Sequence, residues 1–296
     1  MGFLVGLWLA MFLPAASPAP HPSIPLYAQR SSPGDLEIGG ELAGLPAGAT
    51  RYLRYDDLLK LPQETVTITD DNFRAPTRIT GVSLARLAEL LGKHADMIVA
   101  ICYDSYRSNY SPEYLVAHDP ILVLRVNGQT RDQWPKAPNG DLLTPYVISH
   151  PSFTPRFKVL SHEDEAQIPY GVTRIEFHRG AQIYAPILPA AQRRGDAMIQ
   201  DGYLIAREDC FRCHSSGGEG GTLARSSWVD LGKMAATDPE RFRWIVHDPR
   251  AVLPGVKMPG QPEYDATTLS ALVEYFRTFA ASGAASKFVG MRESKP

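Results

Sequence analysis

The run Cys210-Phe211-Arg212-Cys213-His214 brings two thiols and an imidazole together within five residues. This C-x-x-C-H spacing is the attachment pattern of c-type haem, because thiols one helical turn apart can add to the two vinyl groups of a porphyrin. The imidazole that follows is then placed beneath the iron. We therefore predict that Cys210 and Cys213 bind one covalent haem c and that His214 is an axial ligand of its iron.

Two other kinds of site also use closely spaced cysteines. A structural zinc site needs four ligands. The only other cysteine is Cys102, and the sequence has no second C-x-x-C and no H-x3-5-H pair. A thioredoxin-like dithiol follows a strand in a βαβ unit, and that context is missing before Cys210. Both alternatives account for the sequence less well than haem does.

A second axial ligand is expected on the other side of the iron, and Met258 is the candidate. It lies 44 residues after His214, in the Pro/Gly-rich stretch Val252–Gly260. Prolines and glycines prevent this stretch from forming a helix. A methionine in a loop often only fills a gap in the packing. Opposite a haem histidine, however, a thioether completes the coordination and raises the reduction potential, so we predict His214 and Met258 as the two iron ligands.

The segment from about residue 190 to residue 280 resembles a class I cytochrome c. The resemblance rests on a helical stretch before the C-x-x-C-H run, on Pro254-Gly255-x-x-Met258-Pro259, and on an amphipathic last helix containing Leu269, Leu272, Val273, Phe276 and Phe279. It implies an all-α domain over 190–283 that transfers single electrons. The family usually has a proline shortly after the haem histidine, whose carbonyl accepts the Nδ1 hydrogen bond. Residues 215–229 contain no proline, so another carbonyl must orient His214.

Residues 33–179 mix helix and strand signals. Ser83 precedes an apolar helical face of leucines and Gly92 follows it, which predicts a capped helix between them. Strand-like runs occupy 97–101, 121–126, 146–148 and 173–177, and Asn127-Gly128 predicts a tight turn. This irregular mixture predicts an α+β domain rather than a doubly wound sheet.

The same segment resembles the molybdopterin-binding domain of the sulfite oxidase type, in particular short exported relatives in which that domain stands alone. The stretches that carry the resemblance are Leu36–Leu42, Tyr55–Pro62, Thr80–Leu87, Asp104–Tyr106, Leu124–Gly128 and Arg174–Phe177. In catalytic members, a cysteine thiolate just upstream of the stretch corresponding to Gly81-Val82 binds molybdenum. Here residues 69–78 contain no cysteine. The resemblance therefore implies a domain without molybdenum that holds at most a pterin, because carboxylates do not replace a soft thiolate. Cys102 lies downstream of the expected position, and we predict a small buried residue at a strand end.

The length of 296 residues is sufficient for two domains, and the formal net charge of −2 gives no case for nucleic acid binding. Residues 3–13 form an apolar run followed by small residues and prolines. This pattern predicts a signal peptide and Pro-rich leader over 1–28 and export to the periplasm. Attachment of haem c outside the cytoplasm agrees with export. The run is short for a bilayer span, but no Lys or Arg precedes it, so an uncleaved membrane anchor stays an alternative.

Three further segments carry predictions. His150-Pro151 and the run His162–Glu165 fit no metal-ligand spacing, so we expect solvated loops. Residues 180–189 link the two predicted domains and combine two prolines with several large apolar side chains. We expect this linker to lie packed along the interface rather than in solvent. Residues 284–296 are predicted to be a tail.

The sequence thus predicts an exported two-domain monohaem cytochrome that exchanges electrons with a redox partner protein, with no catalytic residue assigned. The first domain would dock that partner or orient the haem edge. The alternative from the enzyme class is a haem-containing molybdenum enzyme resembling sulfite dehydrogenases. A third interpretation is a redox or ligand sensor, or a scaffold, in which the first domain binds a small molecule.

Overall fold

The computed structural model describes residues 24–92 and 95–280. The strands are β1 Leu36–Gly40, β2 Arg51–Leu53, β3 Glu64–Ile68, β4 Thr77–Ser83, β5 Met97–Cys102, β6 Arg107–Tyr110, β7 Ile121–Val126, β8 Val147–Ser149, β9 Lys158–Val159, β10 His162–Glu163 and β11 Val172–His178. The α-helices are α1 Tyr55–Leu58, α2 Leu84–Leu91, α3 Pro112–His118, α4 Gly180–Tyr184, α5 Ala197–Glu208, α6 Trp228–Thr237, α7 Pro239–His247, α8 Pro249–Val252 and α9 Ala266–Arg277. Most of the predicted leader (1–28) and all of the predicted tail (284–296) lie outside the described residues.

Two sheets form the strand-rich part of the chain. The larger has five strands in the order β2-β1-β11-β5-β6, and the smaller has four in the order β3-β4-β7-β8. Strand β1 pairs with β11 in parallel, with Ile38 opposite Ile175. The other pairs in these two sheets are antiparallel. Strands β9 and β10 make a short separate hairpin.

The strand and helix predictions for this part are largely confirmed. The runs predicted at 97–101, 121–126, 146–148 and 173–177 correspond to β5, β7, β8 and β11. The predicted helix is α2, and its Leu84, Leu87 and Leu91 are buried. The helix begins directly after Ser83 as predicted, but the Ser83 hydroxyl donates to Asp119 Oδ1 over 3.0 Å and makes no capping hydrogen bond.

Strand β5 is apolar on both faces, and this joins the two halves of the chain. Successive side chains of a strand point to opposite faces of the sheet. Ile98, Ala100 and Cys102 pack in one core with the apolar face of α2. Met97 and Val99 pack in a second core, together with buried side chains of α5, α6, α7 and α9. The strand therefore lies between two cores, as expected for a nearly continuous apolar run.

The predicted fold class, an α+β domain of the sulfite oxidase type followed by a separate all-α cytochrome c domain, is wrong. Among the described residues from Gly180 onward the regular structure is helical, but these helices share their core with β5. Amphipathic helices must bury their apolar faces against another element, and here the five-stranded sheet supplies part of that surface. The chain is a mixed α/β structure with several sheets.

The predicted packing of the linker is confirmed for its central residues. It forms α4 and a 3-10 turn over Ala185–Ile187. Ile183 and Ile187 are fully buried in the core shared with β5. The Tyr275 hydroxyl of α9 donates to the Ile187 carbonyl over 2.6 Å, so the linker is tied to the last helix. Leu188 is the exception, with 37% of its surface exposed.

Across the described ranges 24–92 and 95–280, no helix combines the length and the apolar character that a membrane crossing requires.

Candidate functional site

The C-x-x-C-H run continues directly from α5. Asp196 caps this helix by accepting a hydrogen bond from Ile199 N over 3.4 Å. The helix crosses α9 closely at Gly202, where an added Cβ would lie 2.2 Å from the Ala271 carbonyl oxygen. This close crossing requires a residue without a side chain and packs the middle of α5 directly against α9.

The two predicted haem-anchoring thiols lie on one turn. Residues Cys210–Arg212 form a single 3-10 turn, and the backbone amides of Cys213 and His214 donate to the Cys210 carbonyl over 3.2 and 2.9 Å. Both cysteines are free and half-buried. Burial raises the pKa of Cys213 to about 11 and also raises the pKa of Cys210. The structure thus brings Cys210, Cys213 and His214 together as predicted.

His214 is buried, with 8% of its surface exposed, and its ring has a defined orientation. Its Nδ1 lies 2.7 Å from the Ser226 carbonyl oxygen. A carbonyl can only accept, so Nδ1 carries the proton and Nε2 is the nitrogen that can bind a metal. Burial also lowers the pKa of His214, which favours the neutral ring that ligation requires. The carbonyl of Ser226 therefore takes the place of the missing proline carbonyl.

The position of Ser226 is set by the helix that follows it. Ser227 begins α6 with a capping box, in which the Ser227 hydroxyl and the Asp230 carboxylate bind each other's backbone amides. Trp228 is fully buried against Phe276 of α9, with ring centroids 4.8 Å apart. The cap and the buried ring hold the Ser226 carbonyl in a rigid part of the chain.

These residues fit a covalent haem c. They comprise two free thiols three residues apart and an imidazole whose Nδ1 proton is already bound to a backbone carbonyl.

Met258 lies outside helices and strands, in the half-buried segment after α8. The helix before it, α7, begins at Pro239 with Asp238 as its cap and ends at His247 before Pro249. Gly255 has a φ of +81°, and the Gln261 amide donates to the Val246 carbonyl over 3.0 Å. The segment is thus folded back on α7. Its ligation of iron stays a prediction.

The loop after His214 is attached to the larger sheet by β6. Arg107 is buried, and its guanidinium lies 3.0 Å from Glu219 Oε2 and donates to the Gly220 carbonyl over 3.3 Å. The Thr222 amide donates to the Ser105 carbonyl over 3.1 Å. These contacts fix the loop after His214, and with it the C-x-x-C-H run, against the strand-rich half of the chain.

A buried polar network surrounds Asp209, the residue before Cys210. The Tyr264 hydroxyl donates to Asp209, and His162 Nδ1 lies 2.8 Å from the same hydroxyl. Arg212 donates to Glu165 Oε2 over 3.2 Å. Burial raises the pKa values of Asp209 and Glu165 and lowers the pKa of His162. The network therefore joins three separate parts of the chain next to the haem motif.

His162, Glu165 and Asp209 each offer a ligand atom, and the three atoms lie within 4.8 Å of one another. In this structure the guanidinium of Arg212 and the hydroxyl of Tyr264 already bind the two carboxylates. A cation as close as Arg212 opposes the binding of a second cation. We therefore interpret the group as a hydrogen-bonded network and not as a metal centre.

The prediction that His150 and the run His162–Glu165 are solvated is wrong for three residues. His150, His162 and Asp164 are 4%, 1% and 3% exposed. His118 Nε2 lies 3.0 Å from Asp164 Oδ2, and the Tyr114 hydroxyl lies 2.9 Å from His150 Nε2 and accepts from Gln167 N. A short run of polar residues is typical of a solvated loop. These side chains are nevertheless buried, because residues distant in sequence provide their hydrogen-bond partners.

The segment expected to carry a molybdenum thiolate lies beside a cavity of about 290 Å³. The residues around this cavity include Asp70, Asp71 and His150, and none of them is a cysteine. Cys102 instead lies at the end of β5 in the main core, 5% exposed, and burial raises the pKa of its thiol. The prediction of a buried structural Cys102 is confirmed, and the residues present do not fit a molybdenum site of the thiolate type.

Comparisons with known proteins add no assignment: no protein-family model matches this chain, and neither does any curated protein.

Proposed function

We propose that this chain is an exported monohaem c-type cytochrome that transfers single electrons. One observation carries the proposal: His214 donates from Nδ1 to the Ser226 carbonyl beside two free thiols on the preceding turn. This arrangement orients Nε2 for a metal and leaves both thiols available for thioether bonds. Haem c would supply a reversible one-electron change at its iron.

The roles of the chain's own residues follow from their positions. Cys210 and Cys213 would anchor the haem, and His214 and Met258 would be its iron ligands. The resemblance of the segment to class I cytochromes c supports this assignment. Met258 would favour the reduced state, because a thioether binds ferrous iron better than ferric iron.

The strand-rich half would dock a redox partner protein and hold the haem site in one orientation. Arg107 with Glu219, and Arg212 with Glu165, link this half to the turn and loop of the attachment motif. Met97 and Val99 add apolar contacts to the helices. A haem site fixed in this way presents the same face to every partner molecule. This suits docking to one partner better than it suits a haem domain on a mobile tether that moves between two partners.

The proposal is tested by expressing the full chain with its leader in a host that attaches haem c. We expect one haem that stays bound after acid-acetone extraction, and loss of this covalent haem in Cys210→Ser with Cys213→Ser. Cys102→Ser is the matched control and should retain haem, because Cys102 lies in the core. Wild-type protein without covalent haem from such a host would refute the proposal.

A further inference from the structure

A cavity of about 510 Å³ lies where the strand-rich half meets the helices. Its walls come from α3, from the loop before β9 and from the end of α5. The volume is in the range of pockets that hold small organic ligands. None of the residues that we assign to the haem lines this cavity.

Asp164 lines the cavity and provides its most specific feature. Its side chain is 2% exposed. Oδ2 accepts hydrogen bonds from His118 and from the Arg156 amide, over 3.0 and 3.2 Å. Oδ1 is buried and has no hydrogen-bond partner among the residues that the structure describes. A buried carboxylate oxygen without a partner is costly, and a ligand that donates a hydrogen bond from the cavity would remove that cost.

The charges around the cavity favour a cation. Besides Asp164, the carboxylates of Asp96, Glu113 and Glu208 line it, against the guanidinium groups of Arg156 and Arg207. Arg207 is already committed, since it pairs with Glu208 over 2.9 Å and lies over the ring of Tyr184. With this pair set aside, the carboxylates of Asp96, Glu113 and Asp164 remain against Arg156, which is an excess of negative charge.

Aromatic rings line the same space, namely Tyr114, Phe157 and Tyr184. Carboxylates beside aromatic faces are the surroundings that organic ammonium groups prefer. We propose that this cavity binds a small organic cation of the amine class, with a protonated amino group donating to Asp164 Oδ1. This binding is independent of the haem function proposed above.

The test is calorimetric titration of the full exported holoprotein with 1,4-diaminobutane, and with succinate as a dianion of similar length. We expect one diamine per chain and no binding of succinate. Asp164→Asn should weaken diamine binding by about tenfold or more, because the charge-assisted bond is lost. Glu163→Gln is the matched control, since Glu163 pairs with Lys158 at the exposed surface. This variant should bind the diamine with the same affinity as the wild type.

Arg156→Gln gives a second test, in which the diamine affinity should change in the opposite direction. This test does not depend on a substitution at the buried Asp164. Arg156 is exposed at the cavity, so removing its positive charge should strengthen diamine binding. Four results would each overturn the proposal. Two concern the wild type: no detectable diamine binding, or stronger binding of succinate than of the diamine. The other two are an unchanged diamine affinity in a folded Asp164→Asn variant and weaker diamine binding by Arg156→Gln. All of these outcomes leave the covalent haem test unaffected.

Discussion

Arg212 donates to the carboxylate of Glu165 over 3.2 Å, so a residue between the two predicted haem-anchoring cysteines is bound to the loop that follows β10. The second terminal nitrogen of Arg212 lies 3.7 Å from Asp209 Oδ1. One guanidinium thus lies beside two carboxylates of different segments. We call the turn over Cys210–Arg212 the attachment turn. It is held in place by charge as well as by apolar packing.

Replacing Arg212 by Gln should lower the free energy of unfolding by about 1–3 kcal/mol, because Asp209, whose side chain is 11% exposed, and the half-buried Glu165 lose their cation. Urea unfolding of the holoprotein at pH 7 measures this change. Arg243→Gln is the control, since Arg243 pairs with the exposed Glu240. Such surface pairs contribute roughly 0–1 kcal/mol. Equal losses in the two variants would contradict the role assigned to Arg212.

His150 should make the chain less stable in mild acid. Burial, with a smaller contribution from His118, lowers its pKa to about 3. An unfolded chain takes up this proton near pH 6.5, so between pH 6.5 and 3 the unfolded state binds more protons and stability falls as the pH falls. The slope from this one group is about 1.4 kcal/mol per pH unit.

The variant His150→Gln has no imidazole at this position, so its unfolded chain does not take up this proton near pH 6.5. The difference in unfolding free energy between wild type and variant should therefore shift by about 2 kcal/mol between pH 6.5 and pH 5, in favour of the variant. Between pH 7 and pH 9 the same difference should stay constant, which serves as the control. A difference that does not depend on pH below 6.5 would show that His150 is protonated in the folded chain.

Gly221 lies against the attachment turn, where an added Cβ would come 1.8 Å from the Arg212 carbonyl oxygen. Gly221→Ala should therefore displace the turn, reduce the yield of haem-loaded protein and lower stability by about 1–3 kcal/mol. The control is Gly195→Ala, because a Cβ there meets no atom of residues 24–92 and 95–280 within 4 Å. Haem absorbance per chain and urea unfolding are the measurements. Normal haem loading in Gly221→Ala would show that the turn can move without consequence.

Met258→Ala should open one axial position of the iron to water or to added ligands. In the wild-type ferric protein we expect the absorption band of a thioether ligand near the red edge of the visible spectrum, and its loss in the variant. Met198→Ala is the control, because Met198 is 41% exposed on α5 and has no predicted role. If the band is absent in the wild type, or unchanged in Met258→Ala, Met258 is not the ligand.

We expect the protein to contain iron but no stoichiometric molybdenum, because the segment 69–78 and the cavity beside it offer no thiolate. Elemental analysis after expression in a host that makes both cofactors measures the ratio. A molybdenum-to-iron ratio near unity would instead support the enzyme interpretation.

The candidate haem site could be predicted from sequence because its chemistry is local. Cys210, Cys213 and His214 lie within one turn, so their spacing alone places them together. The carbonyl that orients His214 could not be predicted, since any residue has a carbonyl and the family's proline is missing. The network of His162, Asp209 and Tyr264 was also missed, because its members lie far apart in sequence and none belongs to a recognisable motif.

For the fold, the sequence by itself determined most of the individual elements. Periodic leucines specify α2, and the apolar run Met97–Cys102 specifies β5. Only the tertiary structure decided that helices α5, α6, α7 and α9 share a core with the larger sheet through Met97 and Val99. An apolar face in a sequence shows that a surface must be buried. It does not show which element buries it, because the hydrophobic effect has no direction and the partner is selected by the shape of the whole chain.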